Sequence, residues 1–196
     1  MNRTYPALSA RPLAMHATFW EPSFAASAVS AEDPALSVMT DLKQVSAVTI
    51  DAEATIRSAM RIMVRRNVRL LFVVNIDNEI DGVITATDLL GEKPVLYVSE
   101  HGGTRSEIRV RELMTPQSQI EVLAFAEVRS ARVGHVVASL QHSQRQHALV
   151  ADYDADGRPM VRGIFSASQL ARQLGYPVQT GLSAFSFADI ESALNH

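Results

Sequence analysis

The chain has no cysteine, which removes disulfides, thiolate metal centres and cysteine nucleophiles together. That composition suits a reducing compartment. No run of 18 or more apolar residues occurs, so no membrane span is expected. Met1 to Trp20 carries two arginines, but Pro6 and Pro12 interrupt it and no signal-peptide core forms. The expected location is cytoplasmic. Charge of one sign is scarce: 18 basic residues against 21 acidic leave a net −3, with no broad footprint for nucleic acid. There is no Gly-x-x-x-x-Gly-Lys phosphate loop, and Gly102-Gly103 is isolated. Ser166 lacks the Gly-x-Ser-x-Gly elbow, and no carboxylate pair is placed for acid–base work. His135, His142 and His147 have no matching ligand spacing for a metal. An enzyme is not expected, and neither is a cofactor.

What remains is an ordinary globular composition, 196 residues with 47% hydrophobic, enough for one core or two small lobes folding together. The most informative stretch is Asp81-Gly82-Val83-Ile84-Thr85-Ala86-Thr87-Asp88-Leu89-Leu90. It reads as a short buried strand turning directly into a helix, with Thr85 as N-cap and Asp88 at the capping-box position. Such a strand-to-helix turn leaves amides that suit an anion. Much later Gly163-Ile164-Phe165-Ser166-Ala167-Ser168-Gln169-Leu170 repeats it.

The rest of the chain aligns on that repetition. Ser46 to Ile50 reads as a strand, and Asp51 to Thr55 as a helix start with acids in its first turn. Ile56, Ala59, Met60 and Met63 form one apolar helix face, and Leu70 to Val74 a buried strand. A shift of 77 positions puts Ile56 on Val133, Met63 on Leu140 and Val73 on Val150. Past a longer polar turn, Asp152 to Pro159, the shift becomes 81, so Gly82 meets Gly163 and Leu89 meets Leu170. One apolar register preserved on both sides of a loop insertion indicates a tandem duplication. The two units would bury each other's sheet faces. The segment Gly91 to Pro116 reads as a connector with a strand-like Val95-Leu96-Tyr97-Val98 and a flexible Glu100 to Thr104 loop. The expected layout is an arm over 1–37, units over 38–92 and 110–175, a connector over 93–109, and a tail over 176–196. That tail holds a capped helix, Ser186 to Leu194, with Phe187, Ile190 and Leu194 on one side.

The ordered set occurs twice: a Met-Thr lead-in (Met39-Thr40, Met114-Thr115-Pro116), a middle strand (Leu71 to Asn75, Ala148 to Asp152) and the closing Gly-h-h-Thr/Ser motif. It resembles a CBS-domain pair, or Bateman module, from about Val38 to Gly175. The resemblance implies an α/β (α+β) fold of tandem CBS domains, two β-α-β-β-α units packed through their sheets with pseudo-two-fold symmetry. It implies a regulatory sensor that binds an adenine nucleotide or other adenosyl ligand (AMP, ADP, ATP or S-adenosylmethionine) in the cleft between the units. It also implies a homodimer that signals to a partner protein in trans.

Carried over by motif, Thr85 would contact phosphate and Asp88 the ribose hydroxyls, with Ala47, Val48 and Phe72 walling the base. Ser166 is the second motif's hydroxyl, and His147 a candidate phosphate contact in front of the second middle strand. Two departures limit this. Gln169 replaces the second acid, and Phe72 and Leu149 replace the middle-strand prolines, so at most one competent site is expected, built mainly around Asp88. Phe72 either stacks on a base or fills the slot. The residues also carry a purely structural reading, in which Thr85 with Asp88, and Ser166 with Gln169, are capping boxes. Arg57, Arg61 and Arg65, stepping by four with Arg66 and Arg69 behind, are a solvated face or a surface for an acidic partner. Arg105, Arg109 and Arg111 form salt bridges or clamp a phosphate. The alternative function is a ligand-free dimerisation and protein-interaction scaffold.

Overall fold

The computed structural model of the chain describes residue 17, residues 29–181 and residues 185–194. Most of the expected arm, including Phe19, Trp20 and Phe24, lies outside the described residues. A 3-10 turn, Ala35–Val38, leads into β1 (Thr40–Asp41). Then come β2 (Thr49–Asp51), α1 (Ile56–Arg66), β3 (Leu70–Val74), β4 (Ile80–Thr85) and α2 (Ala86–Leu90). The middle of the chain is α3 (Lys93–His101), α4 (Val110–Leu113) and β5 (Thr115–Pro116). The repeat follows as β6 (Val122–Ala124), α5 (Phe125–Val128), α6 (Val133–Ser143), β7 (His147–Tyr153), β8 (Pro159–Ser166) and α7 (Ala167–Leu174). The last element is α8 (Phe187–Leu194).

The duplication extends to backbone detail. α1 and α6 are both 11 residues long. Each ends on a left-handed residue that is not glycine, Asn67 at φ 54° and Gln144 at φ 53°. Ile56, Ala59, Met60 and Met63 are buried as their spacing requires, and Val133, Val136 and Leu140 match them. In each unit a parallel strand and an antiparallel hairpin share one sheet.

Each sheet is completed by the other half of the chain. One runs β2-β3-β4-β5 and the other β1-β8-β7-β6. Thus Met39-Thr40 leads into the second unit and Met114-Thr115 into the first. Ala35 and Val38 sit in the second unit's core, whereas Val110 and Leu113 sit in the first unit's. This crossing explains the two motif glycines. A Cβ on Gly82 would lie 2.6 Å from the Thr115 carbonyl oxygen, and one on Gly163 would lie 2.5 Å from Met39 Sδ. Only glycine lets the visiting segment lie that close. The second crossing is also pinned by charge: Arg162 makes paired hydrogen bonds to Asp41 at 2.8 and 2.6 Å. The Arg162 hydrogen bond, followed by the Lys43 amide, holds the Asp41 carboxyl down at about 2 from its ordinary 3.8.

The two sheets meet face to face through Leu70, Phe72, Val83 and Leu149, all nearly inaccessible. The units therefore bury each other's sheet faces as expected.

Three expectations are corrected. Val95 to Val98 is helical, inside α3. Pro94 sits in the helix's first turn and Gly102, at φ 75°, closes it. A short apolar run cannot by itself separate strand from helix, and here Val95 and Leu96 face outward. α1 starts at Ile56, with Thr55 Oγ1 accepting the Ser58 amide at 3.2 Å. Asp51 ends β2 and its carboxylate accepts the Glu53 amide, so no acid stands in the helix's first turn. The third correction is the second capping box, which does not form: Ser166 Oγ pairs with Ser168 Oγ at 3.0 Å, while Gln169 Oε1 accepts from Thr40 Oγ1 at 3.3 Å.

Candidate functional site

The antiparallel hairpins place the start of each middle strand beside the end of its closing strand. Leu70 pairs with Thr85, and His147 with Ser166. Equivalent backbone hydrogen bonds fix both corners: the Ala86 amide to the Arg69 carbonyl at 3.0 Å, and the Ala167 amide to the Gln146 carbonyl at 2.9 Å. A narrow cleft lies between the two corners. Arg69 and Thr87 line it from one unit, His147, Ser166 and Ser168 from the other, and Phe185 from the tail.

The first corner is chemically closed. Thr85 Oγ1 accepts the Asp88 amide at 3.3 Å, and Asp88 Oδ2 accepts the Thr85 amide at 2.8 Å and its hydroxyl at 2.7 Å. Asp88 Oδ1 is taken by Lys93 Nζ at 2.6 Å, and that ammonium also donates to the Leu113 carbonyl at 2.9 Å. The expected capping box is therefore present, and both carboxylate oxygens are engaged within the first unit.

At the second corner no side chain caps α7. Helix first-turn amides lack intrahelical partners, and the positive end of the helix dipole sits there. Ser168, in that first turn, receives a hydrogen bond from Arg69 across the interface. Arg69 also donates to the Phe185 carbonyl at 3.3 Å and lies 5.3 Å from the centre of the Phe187 ring. Among the described residues no carboxylate pairs with this half-buried guanidinium. Burial, and then the nearby charge of Arg172, press its pKa down from the ordinary value. His147 stands in the same field. Its Nδ1 is enclosed without a hydrogen-bond partner. Burial first and Arg69 second push its pKa from 6.5 to about 4, against a smaller opposing pull from Asp88. It is neutral at pH 7, so it can offer a ligand a single N–H but no charge.

The sequence-predicted residues thus divide. Ser166 and His147 line the cleft. Thr85 and Asp88 sit just behind it, with their neighbours Ala86 and Thr87 on its wall. Phe72 is 2% exposed, packed in the layer between the sheets and not on the cleft wall. Val48 packs against the first core and its carbonyl accepts the Phe72 amide at 3.0 Å, whereas Ala47 is exposed. Arg69, Ser168 and Phe185 were not among the predicted site residues. Arg69 continues the four-residue step from Arg65, but it lies past the end of α1 at Arg66 and directly before the apolar strand Leu70–Val74, and that position was the signal that it leaves the solvated helix face.

Four of the other arginines have structural partners. Arg105 donates to the Leu89 carbonyl at 2.8 Å, and Arg109 to the Glu53 carbonyl at 3.1 Å. Arg111 pairs with the Glu53 carboxylate, and Arg57 donates to the Leu194 carbonyl at 2.7 Å. Among the described residues, no helix is long and apolar enough to cross a membrane.

Residues 35–95 match the family model described as CBS domain. Solved structures of similar fold include an uncharacterized conserved protein from Pyrococcus horikoshii. It is 19% identical, with 81% of this chain and 99% of that chain covered and a TM-score of 0.54. A CBS-domain containing protein from Agrobacterium tumefaciens is 17% identical over 69% of this chain and 93% of its own, at a TM-score of 0.50. A putative archaeal homolog of g-AMPK from Methanocaldococcus jannaschii is 20% identical over 71% of this chain and 49% of its own, also at 0.50. No curated protein matches the chain by sequence.

Proposed function

From a chain whose residues 35–95 are a CBS domain and whose two halves fold as a CBS pair, we propose a regulatory module that binds an adenosyl ligand in the inter-unit cleft. In this reading the ligand is AMP, ADP, ATP or S-adenosylmethionine, and its charged part lies against Arg69 and the open end of α7. The carrying observation is Arg69: a half-buried guanidinium without a counter-charge among the described residues, beside an uncapped helix start and two serine hydroxyls. A charge left in that state is unfavourable, and an anionic oxygen would relieve it with hydrogen bonds about twice as strong as neutral ones. Asp88 then acts by holding Thr85 and Lys93 in place. Binding that favours one arrangement of the two units would pass a signal to a partner protein in trans, from a cytoplasmic homodimer. The module itself carries out no chemistry.

The engaged Asp88 and the space-filling Phe72 favour a second reading, the ligand-free scaffold. Thermal shift followed by calorimetry with AMP, ADP, ATP and S-adenosylmethionine separates the two. A saturable, one-site response to at least one of them is expected. A flat response to all four, with the protein folded, rejects the sensor in favour of the scaffold.

A further inference from the structure

The tail is built onto the cleft. Phe185 forms part of its wall, and the Phe185 carbonyl accepts one of the Arg69 donors. Two residues on, the Phe187 ring lies against the same guanidinium. α8 then runs along α1 and α2, held by Ile190, which is wholly inaccessible, and by Phe187, Ala193 and Leu194 at the edge of the first core. Its far end is tied by Arg57 to the Leu194 carbonyl. Ser186 and Asp189 form a full capping box at its start, with bonds of 2.7, 2.7 and 3.2 Å.

We propose that residues 185–194 are a removable cover on the cleft, and that an anionic ligand and the docked tail compete for Arg69. This rests on the reading of the cleft as a ligand site. The Phe185 carbonyl oxygen occupies a donor direction that a phosphate or carboxylate oxygen would take, and two acceptor oxygens cannot share it without repulsion. The cover is held lightly enough to leave. An eight-residue helix is marginal in water on its own, and only Ile190 of its apolar face is fully buried. Release of the tail would therefore report occupancy of the cleft, and would bare the part of α1 that α8 covers.

The cysteine-free chain allows a direct test. Thr87→Cys places a single thiol on the cleft wall, and its labelling by iodoacetate reads access to the cleft. Introducing Ile190→Asp into the full chain, which expels α8 from the core, should speed labelling about tenfold and tighten AMP binding by a similar factor, as for a site about nine-tenths covered. Removing the α8 cap with Ser186→Ala and Asp189→Ala, which touches no core residue, should give a smaller change in the same direction. It decides the matter if Ile190→Asp fails to fold. Unchanged labelling in the folded variants overturns the cover. Faster labelling with unchanged AMP affinity overturns the competition. Faster labelling with no binding of AMP, ADP, ATP or S-adenosylmethionine in any variant keeps the cover and removes the ligand reading instead.

Discussion

The two strand-to-helix corners descend from one motif, yet they do opposite things with it. In the first, an acid at the third helical position closes a capping box and takes a lysine as counter-ion, so amides, hydroxyl and carboxylate are all used locally. In the second, glutamine stands at that position and turns away to Thr40, the serine turns to its neighbour, and the helix start is left open toward Arg69 of the other unit. The exchange of Asp88 for Gln169 thus accompanies a closed box at one corner and an uncapped helix start at the other. Charge follows the same division. The carboxylate is neutralised in the first unit, while the guanidinium just before the first unit's middle strand faces the second.

The crossing strands offer the strongest way to sharpen this contrast. At Gly82 the atom in the way of a methyl group is a backbone carbonyl, which can move only with its strand. At Gly163 it is the flexible Met39 side chain. Gly82→Ala should cost about 2–3 kcal/mol in urea unfolding, near the upper end of overpacking effects, and Gly163→Ala clearly less. Equal losses would mean the two crossings are equivalent after all.

A weaker effect should come from pH. His147 is held neutral in the folded protein well below its ordinary 6.5, at about 4. The unfolded chain takes up this proton first, so its contribution to stability is complete above pH 6.5 and is lost as pH falls from there toward 4. Urea midpoints measured across that range should fall more steeply for the wild type than for His147→Gln. Parallel curves would show that His147 titrates freely and that the second corner is more open than its geometry indicates.

Much of the fold was legible because burial imposes periodicity. The face Ile56, Ala59, Met60, Met63 and its copy at Val133, Val136 and Leu140 could be matched residue by residue, and Leu70 to Val74 could be read as a strand from its β-branched apolar run. The box at Thr85 and Asp88 and the terminal helix with Ile190 inward were also visible, since caps and faces are local. The exchange of β1 and β5 between units was not, because two-residue strands carry no pattern; only the glycines they cross hinted at a close approach. α3 was misread because its four apolar residues lack the alternation that would decide between helix and strand. The lining of the cleft was half legible. Ser166 was singled out by the repeat and His147 by the family resemblance, and both line it, but Arg69 acquires its place only when Ser168 and Phe185, 99 and 116 positions away, arrive beside it.

The division between the corners is tested most directly by calorimetric AMP titration of Arg69→Gln and Asp88→Asn side by side. With the folds verified, Arg69→Gln should weaken binding by about tenfold or more, the loss of one charged hydrogen-bonding partner, while Asp88→Asn changes it by less than about threefold. The reverse order, with Asp88→Asn abolishing binding and Arg69→Gln leaving it intact, would place the ligand at the first corner and contradict the account.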